Sequence, residues 1–254
     1  MSRYISPVLY VLLMLVGCLA FISIAGVRVG VFDPVTGFAL LKKSVIASLV
    51  LSLLAVISLI VCRKECNAAT ARFFYLVLVL TVLYSAMWII FYVQRSGLPE
   101  INDITTDMVT PPAYINVNFL RHSGENSLSY HKEWASIQKK FYPNVKPLLT
   151  NKSKEVVFQK ALKLVQDNGW VLVASYPEVG LIEATARTPV FGFRDDVVIR
   201  LMTTDNGKTR VDMRSCSRVG KGDFGVNAKR IIKFMSSLSE SLNSDQMKRL
   251  RFLN

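Results

Sequence analysis

The stretch that decides the fold runs from Asp195 to Arg218 and reads DDVVIRLMTTDNGKTRVDMRSCSR. Apolar and charged residues alternate along both of its halves, which is typical of two β-strands that each bury one face. The halves meet at Asp205, Asn206 and Gly207. A three-residue loop with glycine in the left-handed conformation at this point predicts a β-hairpin.

The length of this loop determines which residues of the two strands face each other. A three-residue loop places Arg200 opposite Asp212 and Leu201 opposite Val211, whereas a two-residue loop would mix apolar and charged side chains on both faces. Burial therefore favours the longer loop. It predicts an apolar face of Val197, Ile199, Leu201, Val211 and Met213, and a charged face of Arg200, Arg210, Asp212, Arg214, Cys216 and Arg218.

Further elements on both sides of the hairpin indicate an α+β domain. Ser153 is a suitable N-cap for a helix over residues 154–168, and strand patterns follow at 170–176 and 180–187. In the second of these strands, Glu183, Thr185 and Arg187 alternate with apolar residues. A helix from about Val226 to Leu242 follows the hairpin. The order α-β-β-β-β-α predicts an antiparallel four-stranded sheet with helices packed on one face.

The N-terminal part of the chain has a different character. Three windows carry almost no charge, at residues 7–27, 44–62 and 73–93. Each is close to the ~20 apolar residues that a helix needs to cross a bilayer. The sequence therefore predicts three transmembrane helices in a membrane domain over residues 1–95, a linker or strap over 96–112, and an extramembrane domain over 113–254.

The orientation in the membrane follows from weaker signals. Lys and Arg are equally numerous on the two sides of the three predicted spans, at Arg3, Arg63, Lys64 and Arg72 against Arg28, Lys42, Lys43 and Arg95. The short loop after the second span holds basic residues at higher density, beside Cys62 and Cys66, which suits a reducing compartment. We expect this loop in the cytoplasm and the C-terminal domain on the opposite side.

The net charge of +13 divides almost evenly between the two parts. Residues 1–95 hold 8 basic and 2 acidic residues (+6), and residues 96–254 hold 23 and 16 (+7). A basic domain on a membrane-bound chain is attracted to anionic lipid head groups. No basic run with interleaved aromatic residues is present, so a nucleic-acid partner is not expected.

Two interpretations of the charged sheet face remain open. The face could be solvated, with Arg200 and Asp212 as a cross-strand pair. Alternatively it could receive an anionic ligand, a lipid head group or an envelope protein, because guanidinium groups bind phosphate and carboxylate in a bidentate manner. The residues of this second interpretation are Arg187, Arg200, Arg214, Ser215, Ser217 and Arg218, with Arg194, Asp195 and Asp196 from the FGFRDD segment and Asp212.

The glycines at 220, 222 and 225 form the pattern G-x-G-x-x-G. A dinucleotide fold needs a buried apolar strand before this pattern and a further parallel strand after the helix, and neither is present here. The glycines instead suit a tight turn from strand to helix, with Asp223 or Asn227 as the cap. Amide groups at the helix start, with Lys221, could hold one anionic group.

A hydrolase is the alternative function. Asp195, Asp196 or Asp107 would serve as the base, with His122 or His131 nearby. Neighbouring residues of a strand point to opposite faces, so Asp195 and Asp196 should not converge. The two histidines have no His or Cys partners at ligand spacing, so no metal or other cofactor is expected, and we assign no catalytic residue.

Four separated motifs stand in the C-terminal part: INDITTD (101–107), FYPNVKPL (141–148), IEATARTPVFGFRDDVVIR (182–200) and VDMRSCSRVGKGDFGVNAKRI (211–231). In this order they resemble a bacterial and plastid family, domain-of-unknown-function family 1499, over roughly residues 100–240. The resemblance implies an integral protein of the bacterial inner membrane, and it implies no activity. The motif positions that map here are Asp103, Thr105, Thr106, Asp107, Glu183, Asp195, Asp196, Arg200, Asp212, Arg214, Ser215, Arg218, Asp223 and Asn227.

Overall fold

A computed structural model describes residues 2–252, with side chains described as far as Ser244. The chain divides into two compact units. The first comprises residues 1–97 and 189–192, and the second comprises residues 98–188 and 193–254.

The first unit contains helices α1 (Ser2–Arg28), α2 (Pro34–Val61) and α3 (Ala68–Ser96). All three are long and apolar enough to cross a membrane, with mean hydropathies of 2.7, 2.8 and 2.4 over their most apolar windows. α2 and α3 begin before the predicted windows, at starts that polar residues cap. Asp33 accepts hydrogen bonds from two backbone amides of α2, and Asn67 accepts one from α3.

Packing within this unit combines apolar contacts with a few polar ones. Each of the three helices contributes buried residues to a shared apolar cluster, for example Leu9, Leu51 and Phe74. Hydroxyl groups join α2 to α3, as where Ser48 Oγ donates to the carbonyl oxygen of Thr81 at 3.1 Å. Short polar side chains that bond across helices are a common means of association in membranes.

The second unit is built on one antiparallel sheet. Its strands are β1 (Asp103–Thr105), β2 (Leu148–Thr150), β3 (Val171–Tyr176), β4 (Leu181–Arg187), β5 (Arg194–Thr203) and β6 (Thr209–Ser217), and its helices are α4 (Trp134–Phe141), α5 (Lys154–Asp167) and α6 (Val226–Phe252). The strand order is β1-β6-β5-β4-β3, and β2 also pairs with β6.

The described chain thus has a six-stranded sheet rather than the predicted four-stranded one. The two additional strands are β1, which lies within the predicted linker or strap, and β2. Each is only three residues long. Such short segments show no alternation that a sequence pattern can reveal, because they form by pairing with β6 rather than by their own propensity.

The register predicted for the hairpin is confirmed. Arg200 pairs with Asp212 and Leu201 pairs with Val211 across β5 and β6. The turn contains Gly207 with φ of +69°, the left-handed conformation that the three-residue loop requires.

One face of the sheet carries the apolar core. The residues predicted for the apolar face, including Ile199 and Met213, are buried there with residues of α5 and α6, such as Phe158 and Phe234. Trp134 and Ile137 of α4 pack against the same cluster. The prediction of an α+β fold with helices on one face of the sheet is therefore confirmed.

Candidate functional site

Residues 106–130 lie over the second, charged face of the sheet. Tyr114 and Val117 of this segment are buried together with apolar residues of β4, β5 and β6. The Tyr114 hydroxyl donates to the carbonyl oxygen of Asp196 at 2.8 Å. The charged face is therefore largely covered, which corrects the interpretation that it is solvated.

A deeply buried ion pair beneath this cover joins Arg214 to Asp103. Arg214 Nε donates to Asp103 Oδ1 at 3.0 Å, and Arg214 Nη2 donates to Oδ2 at 2.6 Å. The remaining donors of Arg214 reach the carbonyl oxygens of Pro112 and Leu128. Burial raises the pKa of Asp103, and the hydrogen bonds from Arg214 act in the opposite direction. Arg214 thus fastens the covering segment to the sheet.

Asp196 is the centre of a second buried group. Arg218 Nη2 donates to its Oδ1 at 2.9 Å, and Arg121 Nε donates to its Oδ2 at 2.8 Å. Arg121 belongs to the covering segment and also donates to the carbonyl oxygen of Cys216. Burial raises the pKa of the Cys216 thiol to about 12, so this cysteine is an unreactive core residue.

Glu183 of β4 binds the covering segment through its backbone. Its carboxylate accepts hydrogen bonds from the amide groups of Ile115, Asn116 and Val117. Charge-assisted bonds of this kind are stronger than neutral ones. The glutamate, which is fully buried, therefore positions the start of a short 3-10 helix at Val117–Leu120.

At the hairpin end, two arginines and two aspartates form one network. Arg200 Nη2 donates to Asp107 Oδ2 at 3.0 Å and to Asp212 Oδ2 at 3.3 Å. Arg210 donates to both oxygens of Asp212 and also reaches Asp107. The two positive and two negative charges of this network balance.

The serines and Asp195 lie on the opposite face of the sheet. Arg230 of α6 donates to Asp195 Oδ2 at 2.5 Å and to Ser215 Oγ at 2.9 Å. Asn227 Nδ2 donates to Ser217 Oγ at 3.0 Å. The sequence interpretation grouped Ser215 and Ser217 with the arginines of β6, but alternate residues of a strand face opposite sides. The structure does not bring those groups together.

The glycine-rich loop holds an anion that the chain itself supplies. Asp223 accepts hydrogen bonds from the amide groups of Gly225 at 2.8 Å and Asn227 at 2.7 Å. Burial raises the pKa of Asp223 to about 6 against these two bonds. Asp223 therefore caps α6, as predicted, and occupies amides at the helix start. Lys221 is exposed beside this loop.

Two arginines of the charged face remain exposed. Arg187 ends β4 and Arg194 begins β5, and the two residues are directly opposite each other in the sheet. Both lie outside the cover and neither has a carboxylate partner among the residues that the structure describes. Like charges directly opposite in a sheet are destabilising, and an anion between them would remove that repulsion.

Arg218 stands next to this pair in the sheet. Its backbone amide donates to the carbonyl oxygen of Arg194 at 3.0 Å. The Arg218 side chain is buried and paired with two carboxylates, Asp196 at 2.9 Å and Glu125 at 3.8 Å, so it does not share the exposed position of Arg187 and Arg194. Among the described arginines of β4, β5 and β6 and the adjoining Arg218, the two without a carboxylate partner are therefore Arg187 and Arg194.

Asp195 and Asp196, two of the acids named for a hydrolase, do not converge on one site. Asp195 and Asp196 point to opposite faces, and each is held by an arginine. His131 packs on Trp134 with a ring separation of 4.4 Å, and His122 is exposed. In the described part of the chain, no three His, Cys, Asp or Glu side chains lie close enough together to hold a metal ion.

Sequence reasoning missed three residues that organise these contacts: Arg121, Tyr114 and Arg230. Arg121 and Tyr114 stand in a segment without periodicity, and Arg230 was assigned only to a helix. No spacing connects them to their partners, since Arg121 and Asp196 are far apart in the chain. The concentration of charge on one face of β5 and β6 was a signal available from the sequence, because such charges need partners if the face is covered.

Comparison with known proteins identifies a family but no activity. A search of curated proteins finds no match. The profile of the family described as protein of unknown function (DUF1499) matches residues 103–238, which is more than half of the chain. This region contains all of the strands, the buried ion pairs and the exposed arginine pair. The chain therefore belongs to the DUF1499 family, and three long apolar helices precede the family domain.

Proposed function

We propose that this protein is a membrane-anchored binding domain of the cell envelope that recognises a phosphate-bearing anion through Arg187 and Arg194. The observation that carries the proposal is the cross-strand position of two exposed arginines that have no carboxylate partner among the described side chains. The other arginines of β5 and β6 are compensated within the chain. We further propose the bacterial inner membrane, with the domain on the non-cytoplasmic side.

The chemistry favours phosphate over a single point charge. Opposed residues of neighbouring strands have Cβ atoms roughly 5 Å apart, so two guanidinium groups can approach one tetrahedral anion from two sides. Both phospholipid head groups and soluble phosphate compounds have this chemistry. Attraction to an anionic membrane surface would add a long-range contribution that falls as salt rises.

The test uses the full chain in nonionic detergent. Binding of inorganic phosphate is measured by calorimetry, and retained phospholipid is measured by native mass spectrometry. Arg187→Ala with Arg194→Ala should weaken binding of the relevant probe by about tenfold or more. Loss of phospholipid alone would identify a head-group site, and loss of inorganic phosphate binding would identify a site for soluble anions.

The matched control removes the same charge elsewhere. Lys139 and Lys146 are exposed and have no ion-pair partner in the described chain. Lys139→Ala with Lys146→Ala should leave binding nearly unchanged. Equal losses in the two double variants would show that only the overall charge matters, and the proposal would then be wrong. The arginine variant should keep or gain stability, because it removes like-charge repulsion.

A further inference from the structure

The two edges of the sheet are protected very differently. Strand β6 is nine residues long, and its outer edge is covered by β2 against Thr209–Val211 and by β1 against Arg214–Cys216. At the opposite edge, β3 pairs only with β4, and no other strand of the described chain reaches its outer side. β3 therefore leaves a row of backbone donors and acceptors available for pairing.

The sequence of β3 has few of the features that normally block an exposed edge. Edge strands are usually very short or carry charges or proline, because a bare edge pairs with other chains. β3 has six residues, and the ten residues 168–177 contain no charge. Val171 is 58% exposed and Leu172 is 40% exposed. Two protective devices are present, a bulge between Leu172 and Ala174 and Pro177 directly after the strand.

The bulge limits the edge without closing it. A bulge bends a strand locally and leaves one residue unpaired. Beyond it, Ala174, Ser175 and Tyr176 pair in regular register with β4. A continuous section of ordinary strand geometry thus remains at the edge, with the Val171–Leu172 section before the bulge.

We infer that β3 is the interface at which a second copy of this chain binds, with the two β3 strands antiparallel about a two-fold axis. Antiparallel pairing of identical strands is self-complementary and closed, so it stops at a dimer. The charge distribution permits this occupant although two domains of like net charge repel each other, because β3 itself is uncharged. Residues 96–254 carry a net charge of +7, and β3 offers two such domains an uncharged line of approach.

The membrane anchor also favours a second copy over a soluble peptide. Three helices long enough to span a bilayer would confine every copy of the chain to one surface. Confinement raises the effective concentration of copies relative to one another. This inference is independent of anion binding at Arg187 and Arg194.

The test is the oligomeric state of the full chain in nonionic detergent, measured by light scattering after size-exclusion chromatography. The unaltered chain should be a dimer. Leu172→Lys introduces a charge on β3 twice in each dimer and should raise the dissociation constant by about tenfold or more. Leu149→Lys on β2, another exposed leucine on a strand, is the matched control and should leave the dimer intact.

A disulfide scan gives the register independently. Single cysteines are placed at positions 171 to 176 in a chain lacking Cys18 and Cys66, the two native cysteines that are not buried. Intermolecular disulfides should concentrate at one or two positions, because only closely opposed Cβ atoms can form the bond. A monomeric unaltered chain would overturn the inference. So would a dimer that survives Leu172→Lys and gives no cross-link along β3.

Discussion

Removing the charge of Asp103 should strongly destabilise the extramembrane unit. Asp103→Asn keeps the size of the side chain but leaves the Arg214 guanidinium, which is 4% exposed, without a counter-charge. Arg214 would retain its bonds to the carbonyl oxygens of Pro112 and Leu128. Removing one charged partner of a buried ion pair costs about 3–5 kcal/mol, because the other charge stays buried without compensation. We expect the unfolding free energy to fall by this amount.

The measurement is urea unfolding of the full chain in nonionic detergent, followed by the fluorescence of Trp134 and Trp170, which pack against the core. Asp167→Asn is the matched control. Asp167 makes an ion pair of similar length with Lys163, at 2.7 Å, but both side chains are more than half exposed. Exposed pairs contribute little, so this control should change stability by an amount close to experimental error.

A double variant separates the ion pair from other effects. Asp103→Asn combined with Arg214→Met removes both charges. The cost of the double variant should be less than the sum of the single costs by about 2 kcal/mol or more. Additive costs, or an Asp103→Asn variant as stable as the Asp167→Asn control, would refute the conclusion that this buried ion pair stabilises the unit.

Two further predictions concern the cap of α6 and the turns of the sheet. Because the pKa of Asp223 is raised to about 6 in the folded chain from 3.8, the protein binds a proton more tightly when folded. The unfolding free energy of the unaltered chain minus that of Asp223→Asn should therefore fall by about 3 kcal/mol as pH rises from about 4 to about 6, and it should stay constant above that range. A rise of this difference over the same pH range would contradict the burial argument. Gly207→Ala, at φ +69° with open space around it, should cost about 1 kcal/mol in urea unfolding. Gly180→Ala should lower the unfolding free energy much more, because the new Cβ would lie 2.5 Å from the carbonyl oxygen of Leu201. Equal losses at the two glycines would show that the left-handed backbone conformation alone determines the cost.

Local alternation made the central hairpin predictable. The three-residue turn and the positions of Leu201 and Val211 define one register that separates apolar from charged side chains, and the structure has that register. The three apolar helices were predictable for a similar reason, since each carries its signal within one continuous window. Ser153 and Asp223 were predictable as caps, because a cap acts on amides only a few residues away.

The sequence by itself thus determined the three long helices, the α+β class and the two faces of the hairpin, because these depend on periodicity within a few residues. Only the tertiary structure decided what covers the charged face. Residues 106–130 have no periodic pattern, and they are held over the sheet by contacts such as Arg121 with Asp196 and the Ile115 amide with Glu183. The same long-range pairing left Arg187 and Arg194 exposed while it neutralised the neighbouring arginines. Charge compensation between distant segments is a property of the folded arrangement, which no local pattern of residues records.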